Sequence, residues 1–187
     1  MNYFLEVTIL PDPEFPATLL MNVLFSKLHR AFVEIASERI GVSFPDAKTN
    51  GSTLGSRLRL HGSKTDLEGL MAKNWLLGMN DHLNLSQLAQ VPASASHRIV
   101  RRVQVKSSPE RLRRRLARRH GISIEETLAR LPDFMAERTN LPFVILRSQS
   151  TGQQFRLFIN QGPLQAEAKP GAFTCYGLSQ QATVPWF

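Results

Sequence analysis

Hydrophobic and polar positions along the first 90 residues predict a series of strands and helices. Alternating or short apolar segments of the strand type lie at residues 3–10, 40–44, 57–61 and 82–87. Apolar residues recur at helical spacing over about residues 17–36, and Ser63 with Asp66 forms a capping pattern for a second helix that ends near Trp75. The resulting order, βαββαβ, is that of a ferredoxin-like unit. Many unrelated functions use this unit, so the pattern does not by itself identify a function.

The second half of the chain predicts a smaller α+β domain. Residues 91–97, which include Pro92 and several small side chains, predict a linker between domains of residues 1–90 and 98–187. An extended stretch follows the linker up to about residue 106. Three later apolar segments, joined by glycine-containing turns, predict a small sheet at residues 143–146, 155–159 and 173–178. The predicted fold class is therefore α+β, with a ferredoxin-like N-terminal domain.

Two helices are predicted between the extended stretch and the small sheet. Ser108 is suited to be the N-cap, and Pro109 the first residue, of a helix over residues 109–120 that ends at Gly121. A Ser-x-x-Glu capping box at residues 123–126 begins another helix, which runs to about position 138.

Positive charge is concentrated in one short part of this second domain. Between Arg98 and His120 there are nine arginines, one lysine and one glutamate, a net charge of +9, whereas the other residues carry 13 basic and 14 acidic side chains, a net −1. This concentration favours a specific polyanion site, since charge kept for solubility would be scattered. A membrane surface would also attract cations, but a membrane-binding helix needs aromatic residues opposite them, and this segment contains no Trp, Phe or Tyr.

The remaining composition is that of a soluble cytoplasmic protein. Apolar residues make up 42% of the 187 residues, enough to bury a core, and the lone Cys175 can form no internal disulfide. The N-terminus lacks the basic and apolar regions of a secretion signal, and no apolar run approaches the ~20 residues needed to span a bilayer.

The arginines of the predicted helix share one face. At about 100° per residue the two leucines form one stripe and the arginines the opposite one: Leu112 and Leu116 against Arg111, Arg114, Arg115 and Arg118. A single glutamate accompanies them, and like charges at helical spacing repel one another unless phosphates neutralise them. A planar guanidinium can bridge two phosphate oxygens or the edge of a guanine. A solvated charged helix is the alternative interpretation.

Both DNA and RNA are candidate partners for this helix. Gly121 between two capped helices resembles a helix-turn-helix, which would indicate a DNA-binding regulator. In that motif the second helix enters the groove, and here it begins with Glu125 and Glu126. Side chains cannot read a regular A-form major groove, so an RNA target is expected to be a short hairpin whose stem end or loop opens the groove.

Candidate catalytic residues follow from the chemistry of RNA cleavage. The sequence has no metal-ligand spacing and no phosphate-binding loop motif, so neither a metal nor a nucleotide cofactor is predicted. If the protein cuts RNA, the metal-free route uses the substrate's own 2′-hydroxyl and needs a base such as histidine. The sequence offers five candidates: His29, His61, His82, His97 and His120. His29 falls about 40° beyond the apolar face of the first helix, where it could line a cleft or be structural. The polar loop at 148–152 could contact a phosphate or be an ordinary turn, and Tyr176 could be core or a hydrogen-bonding partner.

Segments spread over essentially the whole chain carry a family resemblance: PDPEFP, LFSKLHRAF, IGVSFPD, RVQVKSSPERLRRRLARRH, LPFVILRSQSTGQQFRLFI and FTCYGLSQQATVPWF. They resemble the type I-F (Ypest-subtype) CRISPR repeat endoribonucleases. The resemblance implies a protein that binds the repeat stem-loop of the CRISPR precursor RNA and cuts it at the 3′ base of the stem without a metal, leaving a 2′,3′-cyclic phosphate. It also implies that the protein, a monomer when free, stays on the mature crRNA with other subunits of the surveillance complex. The second domain would be a degenerate ferredoxin-like fold.

The resemblance also implies a role for individual residues at the cleavage site. His29 would be the general base on the 2′-hydroxyl, Ser148 would orient that hydroxyl, and Tyr176 would help to position the imidazole. Ser150 and Thr151 would lie beside the scissile phosphate.

Other residues are implied in recognition of the hairpin. Arg102 and Gln104 would read base edges at the bottom of the stem, and Phe155 would stack on its terminal base pair. Major-groove phosphates would be contacted by Arg114, Arg115, Arg118, Arg119 and His120. A protein that binds the hairpin without cutting it is the leading alternative, ahead of a helix-turn-helix regulator.

Overall fold

The computed structural model describes residues 1–48, 53–104, 109–130, 139–149 and 151–187. It divides into two compact units. One unit comprises Met1–Val103 and Leu141–Phe187 and holds both β-sheets, and the other, Gln104–Asn140, is helical. Within the described ranges, no helix combines the length and the apolar content needed to cross a membrane.

The first sheet is antiparallel and has the predicted ferredoxin-like topology. Its strands are β1 (Tyr3–Ile9), β2 (Gly41–Ser43), β3 (Arg57–Gly62), β4 (Leu83–Leu85) and β5 (Ala89–Gln90). The order is β2-β3-β1-β4, and β5 pairs with the other end of β1. Helix α1 (Ala17–Ile35) follows β1, and helix α2 (Lys64–Met71) follows β3. The Ser63 side chain accepts the Asp66 amide as the capping pattern predicts, but α2 ends at Met71, short of the predicted Trp75.

Helix α1 covers this sheet with one apolar face. It begins after Pro16, which has extended backbone angles, and ends where Ala36 adopts a left-handed conformation with φ 47°. The buried side chains recur every three or four residues and are Leu20, Met21, Leu24, Phe25, Leu28, Ala31 and Phe32. Each fully buried large side chain contributes about 1.5–3 kcal/mol through removal of apolar surface from water. His29 is half-buried at the edge of this face, which confirms its predicted rim position.

The second sheet is also antiparallel. Three of its strands come from the last quarter of the chain, and the fourth begins within the predicted linker, at Ser96. They are β6 (Ser96–Val103), β7 (Phe143–Arg147), β8 (Gln154–Gln165) and β9 (Thr183–Trp186), in the order β7-β8-β6-β9. The small sheet is therefore confirmed with two of its three predicted strands, those at residues 143–146 and 155–159. Among the described residues, β7 pairs with no strand other than β8, so it forms one edge of the sheet.

The prediction of a strand at residues 173–178 is wrong. This segment is a turn, in which the Gly177 amide donates to the Thr174 carbonyl at 2.8 Å, and the last strand of the sheet is β9. Gly177 has φ +68°, a left-handed conformation that breaks an extended strand and favours glycine. The apolar residues of the segment are buried for a different reason: Phe173 and Leu178 enter the core from the two ends of the turn.

The helical unit contains α3 (Pro109–His120) and α4 (Ile124–Arg130), as predicted. Gly121 separates them with φ +63°. The capping box is reciprocal: the Glu126 amide donates to the Ser123 hydroxyl, and the Ser123 amide donates to the Glu126 carboxylate, each at 3.1 Å. The rest of the second predicted helix, up to position 138, lies outside the described residues.

A buried arginine joins the first sheet to the end of the chain. Arg59 of β3 donates to the Glu6 carboxylate at 2.8 Å and to the Phe187 carbonyl at 2.9 Å. Its guanidinium carbon also lies 3.9 Å from the ring centroid of Phe187 and 5.3 Å from that of Phe4. A buried cation needs both charge pairing and hydrogen bonds, and this arrangement supplies them.

Candidate active site

The imidazole of His29 is oriented by a backbone carbonyl. Its Nδ1 lies 2.8 Å from the carbonyl oxygen of Cys175, in the turn that follows Phe173. A carbonyl oxygen can only accept a hydrogen bond, so Nδ1 must carry a proton. In the neutral imidazole the other nitrogen, Nε2, then holds the lone pair. His29 thus has the tautomer in which Nε2 can accept a proton.

The phenol ring of Tyr176 packs flat against this imidazole. The two ring centroids are 4.2 Å apart and the planes differ by 12°. Burial raises the pKa of the Tyr176 hydroxyl, Cys175 raises it further, and Arg102 partly offsets this rise. Tyr176 is therefore a neutral ring at neutral pH. Stacking on one side and the carbonyl bond in the ring plane together restrict both tilt and rotation of His29.

The turn that holds these groups is itself tied to the first sheet. The Thr174 amide donates to the Leu178 carbonyl at 2.8 Å, and the Val42 amide of β2 donates to the Gly177 carbonyl at 2.9 Å. The Cys175 carbonyl between them is consequently fixed by backbone bonds on both sides. Sequence reasoning missed this acceptor because a backbone carbonyl is present at every residue and leaves no signal in the pattern.

Arg102 and Phe155 extend the site along the second sheet. The guanidinium carbon of Arg102, near the end of β6, is 5.9 Å from the ring centroid of Tyr176 and 5.9 Å from that of Phe155 in β8. The Arg102 carbonyl accepts the Gln180 side-chain amide at 3.0 Å. His29, Tyr176, Arg102 and Phe155 form a continuous set of contacts, which we call the histidine–arginine cluster. Arg102 and Phe155 are both half-buried within it.

Ser148 lies in the turn between β7 and β8. The Ser148 amide donates to the Gln153 carbonyl and the Gly152 amide to the Ser148 carbonyl, each at 2.9 Å. Arg147 braces the turn, since its Nε donates to the Gly152 carbonyl at 2.9 Å. Leu146, two residues before Ser148, is paired with Phe155 of the histidine–arginine cluster. The turn is thus at the end of the strand pair that reaches the cluster.

Thr151, another predicted residue, lies on this same turn. The Thr151 amide donates to the Ser148 hydroxyl oxygen at 3.3 Å, and the Thr151 side chain is exposed. Ser150 lies outside the described residues.

The remaining predicted residues belong to the helical unit. Its α3 side chains predicted to contact phosphate are all exposed: Arg114, Arg115, Arg118, Arg119 and His120. Arg113 is buried, in agreement with its place outside the predicted arginine face. Gln104 is exposed at the start of the same unit. Exposed guanidinium groups on successive turns of one helix form a surface suited to a phosphate backbone.

The described part of the chain contains no group of three or more His, Cys, Asp or Glu side chains that could hold a metal ion. Its prominent buried histidine, His61, bonds the Ser43 hydroxyl at 2.8 Å inside the first sheet. Burial lowers the pKa of His61 to about 3, and it is fully enclosed. His61 is therefore a neutral core residue, in contrast to His29.

An α+β scaffold with an oriented, accessible imidazole and a separate surface of exposed arginines fits a nucleic-acid-binding protein with a candidate general base. Comparison with known proteins gives the family. A model of the CRISPR-associated protein family Cas_Csy4 matches residues 4–187. The chain is 57% identical over 187 residues to a protein of Pseudomonas aeruginosa (strain UCBPP-PA14) named "CRISPR-associated endonuclease Cas6/Csy4", and the match covers the full length of both. It is 44% identical, again over both full lengths, to a protein of the same name from Escherichia coli (strain UTI89 / UPEC).

The chain belongs to the Cas_Csy4 family of CRISPR-associated proteins. The family resemblance predicted from its sequence segments is thereby confirmed.

Proposed function

We propose that this protein is an endoribonuclease that binds the repeat stem-loop of CRISPR precursor RNA and cuts it at the 3′ base of the stem. The observation that carries the proposal is the orientation of His29, whose Nδ1 proton is committed to the Cys175 carbonyl and whose Nε2 is left as a base. The two relatives of the chain described above are both named CRISPR-associated endonucleases, which supports the same activity.

The proposed reaction is a metal-independent transesterification. Nε2 of His29 takes the proton of the 2′-hydroxyl, and the 2′ oxygen attacks the adjacent phosphorus. The bond from phosphorus to the 5′ oxygen of the next nucleotide breaks, and that oxygen takes up a proton from the imidazolium or from water. The products are a 2′,3′-cyclic phosphate and a 5′-hydroxyl. In this scheme Ser148 orients the attacking hydroxyl, and Tyr176 keeps the imidazole in plane with its carbonyl acceptor.

Recognition of the hairpin is proposed to use both units. Arg102 and Gln104 read base edges at the bottom of the stem, and Phe155 stacks on the terminal base pair, with Ser150 and Thr151 beside the scissile phosphate. The exposed cations of α3 bind major-groove phosphates of the stem: Arg114, Arg115, Arg118, Arg119 and His120. Guanidinium groups suit this role because they bridge phosphate oxygens in pairs.

Further parts of the proposal concern the state of the protein in the cell. We propose that it is a cytoplasmic monomer when free, and that after cleavage it remains on the mature crRNA with other subunits of the surveillance complex. The catalytic histidine would belong to a domain of residues 1–90, and most RNA contacts to a domain of residues 98–187, joined by residues 91–97.

The test is cleavage of a labelled repeat hairpin in excess EDTA by wild-type protein and by the variants His29→Ala and His82→Ala. His82 is the matched control, since it is also half-buried and also bonds through Nδ1, to Asp12 at 2.8 Å. We expect wild type and His82→Ala to give a cyclic-phosphate product. His29→Ala is expected to bind the hairpin with nearly unchanged Kd but to lose about 10²–10⁴-fold in rate, the usual contribution of a general base. Tight binding without any cleavage by wild type would instead indicate an RNA-binding protein, and preference for duplex DNA would indicate a regulator.

A further inference from the structure

We propose that Asn22 is a positioning residue for RNA cleavage, because its side chain fixes strand β7, and with it Ser148, at a set distance along helix α1 from His29. The inference rests on the proposed function and adds a residue to it. Asn22 Oδ1 accepts a hydrogen bond from the Ile145 amide at 2.8 Å. Asn22 is on α1 with His29, and Ile145 is on β7 just before Ser148.

The bond satisfies a backbone group that the sheet leaves without a partner. In the part of the chain that the structure describes, β7 pairs with β8 and with no other strand, so alternate amides along its other edge point away from the sheet. The Ile145 amide is one of these, and Asn22 supplies its acceptor. The side chain of Asn22 therefore links helix α1 to the edge strand β7 through a directional hydrogen bond, in addition to the packing of apolar side chains.

From this link the helix and the strand advance by matching amounts. His29 follows Asn22 by seven residues, which is about 10 Å along a helix at 1.5 Å per residue and returns to within about 20° of the same face. Ser148 follows Ile145 by three residues, which is about 10 Å along a strand at ~3.4 Å per residue. If α1 and β7 run in the same direction from the Asn22–Ile145 hydrogen bond, the His29 imidazole and the Ser148 hydroxyl lie at the same distance from it.

Contacts at the far end establish that direction. His29 stacks on Tyr176, Tyr176 and Phe155 both contact Arg102, and Phe155 is paired with Leu146. The His29 end of α1 is thus connected to the end of β7 that leads into Ser148, one residue beyond Arg147. Asn22 and Ile145 are joined at the other end of the same interval. Asn22 therefore adds a direct hydrogen bond between the helix and the strand to the chain of contacts at the His29 end.

Loss of this tie is expected to affect the reaction more than the fold. The bond is at the surface, so water can replace Asn22 as the partner of the Ile145 amide. What water cannot supply is the fixed spacing between α1 and β7. A shift of about 1 Å between reacting groups can lower a rate on the order of 10²-fold, even when substrate binding is unaffected.

The experiment compares Asn22→Leu, which keeps the branched shape at Cγ but lacks an acceptor, with Asn22→Asp, which keeps an acceptor in the same place. Val23→Ala is the control for an exposed change on the neighbouring position of α1. For each purified protein we would measure the single-turnover cleavage rate of a repeat hairpin at saturating protein, the hairpin Kd, and the Tm by circular dichroism. Asn22→Ala replaces Asn22→Leu should the leucine variant not fold.

We expect Asn22→Leu to cleave at least about 10-fold more slowly with a Kd within about 3-fold of wild type, and Asn22→Asp and Val23→Ala to cleave within about 3-fold of wild type. In a Ser148→Ala background, Asn22→Leu should cause little further loss, since its effect passes through Ser148. The inference is overturned if Asn22→Leu cleaves like wild type, if Asn22→Asp is as slow as Asn22→Leu, or if the loss persists in full without Ser148. These results leave the proposed function intact as long as wild type cleaves and His29→Ala does not. Failure of wild type to cleave overturns both.

Discussion

Replacing Gly177 by alanine is predicted to disturb both the stability of the protein and the orientation of His29. Gly177 has φ +68°, and a Cβ built there would lie 2.6 Å from Val42 Cγ1 and 3.0 Å from Phe32 Cε2. Both neighbours are fully or almost fully buried, so they have little room to move. The turn must therefore shift, and the Cys175 carbonyl that orients His29 is only two residues away.

The expected cost has two parts. A left-handed conformation costs alanine about 1 kcal/mol relative to glycine. Overpacking of a dense core adds about 1–3 kcal/mol. The free energy of unfolding should therefore fall by about 2–4 kcal/mol.

A second glycine separates these two parts. Gly78 has φ +79°, but a Cβ there meets no atom within 4 Å. Gly78→Ala should thus lose only about 1 kcal/mol, for the strain alone. Urea unfolding followed by circular dichroism gives both values, and single-turnover cleavage should slow in Gly177→Ala but not in Gly78→Ala. Equal destabilisation by the two substitutions would refute the steric reasoning.

Three further predictions concern other parts of the molecule. Gly69→Ala, within helix α2 and with open space around its Cβ, should raise the free energy of unfolding by about 0.5–1 kcal/mol in the same urea assay, through the higher helix propensity of alanine. His61 has a folded-state pKa of about 3, below the ~6.5 of an unfolded histidine, so the unfolded state binds more protons between these values. His61 should thus make stability fall as pH is lowered from about 6.5 towards 3, and a His61→Gln variant measured over the same range should show a shallower decline. Arg118→Ala should weaken hairpin binding and lower the slope of log Kd against log salt by about 1, the loss of one phosphate contact, whereas an unchanged slope would contradict the assignment of α3 to the RNA backbone.

The fold was largely predictable because its elements depend on local signals. Periodic apolar residues defined α1, and a Ser-x-x-Glu box set the start of α4 at the residue the structure has. The failure at residues 173–178 has an equally local origin. A short apolar segment there suggested a strand, but Gly177 takes a left-handed turn that lets Phe173 and Leu178 reach the core from opposite ends. Burial of apolar side chains fits either conformation, so periodicity alone does not decide between them.

For the candidate site, the sequence predicted which side chains take part but not the backbone groups that orient them. The proposed chemistry requires a base such as histidine, and the spacing of the apolar residues of α1 places His29 at the rim of the packed face. What gives the imidazole its tautomer is the Cys175 carbonyl, and what holds that carbonyl is a turn bonded to β2 through Val42 and Gly177. None of these groups is recognisable in the sequence as functional.

In this turn the backbone, and not the side chain, contributes to the candidate site. The Cys175 side chain is exposed and takes no part in the bond to His29, so the position should tolerate serine or alanine without loss of cleavage. Gly177, by contrast, does not itself bond to His29, yet a side chain at this position is expected to move the Cys175 carbonyl that does. The geometry of the proposed base, His29, is therefore determined by core packing around a turn. Val42 and Phe32 close the space behind Gly177, and the backbone that results presents the Cys175 carbonyl oxygen to Nδ1. A search for catalytic residues by side-chain chemistry would overlook this turn, because its contribution comes from backbone conformation, which only the packed structure reveals.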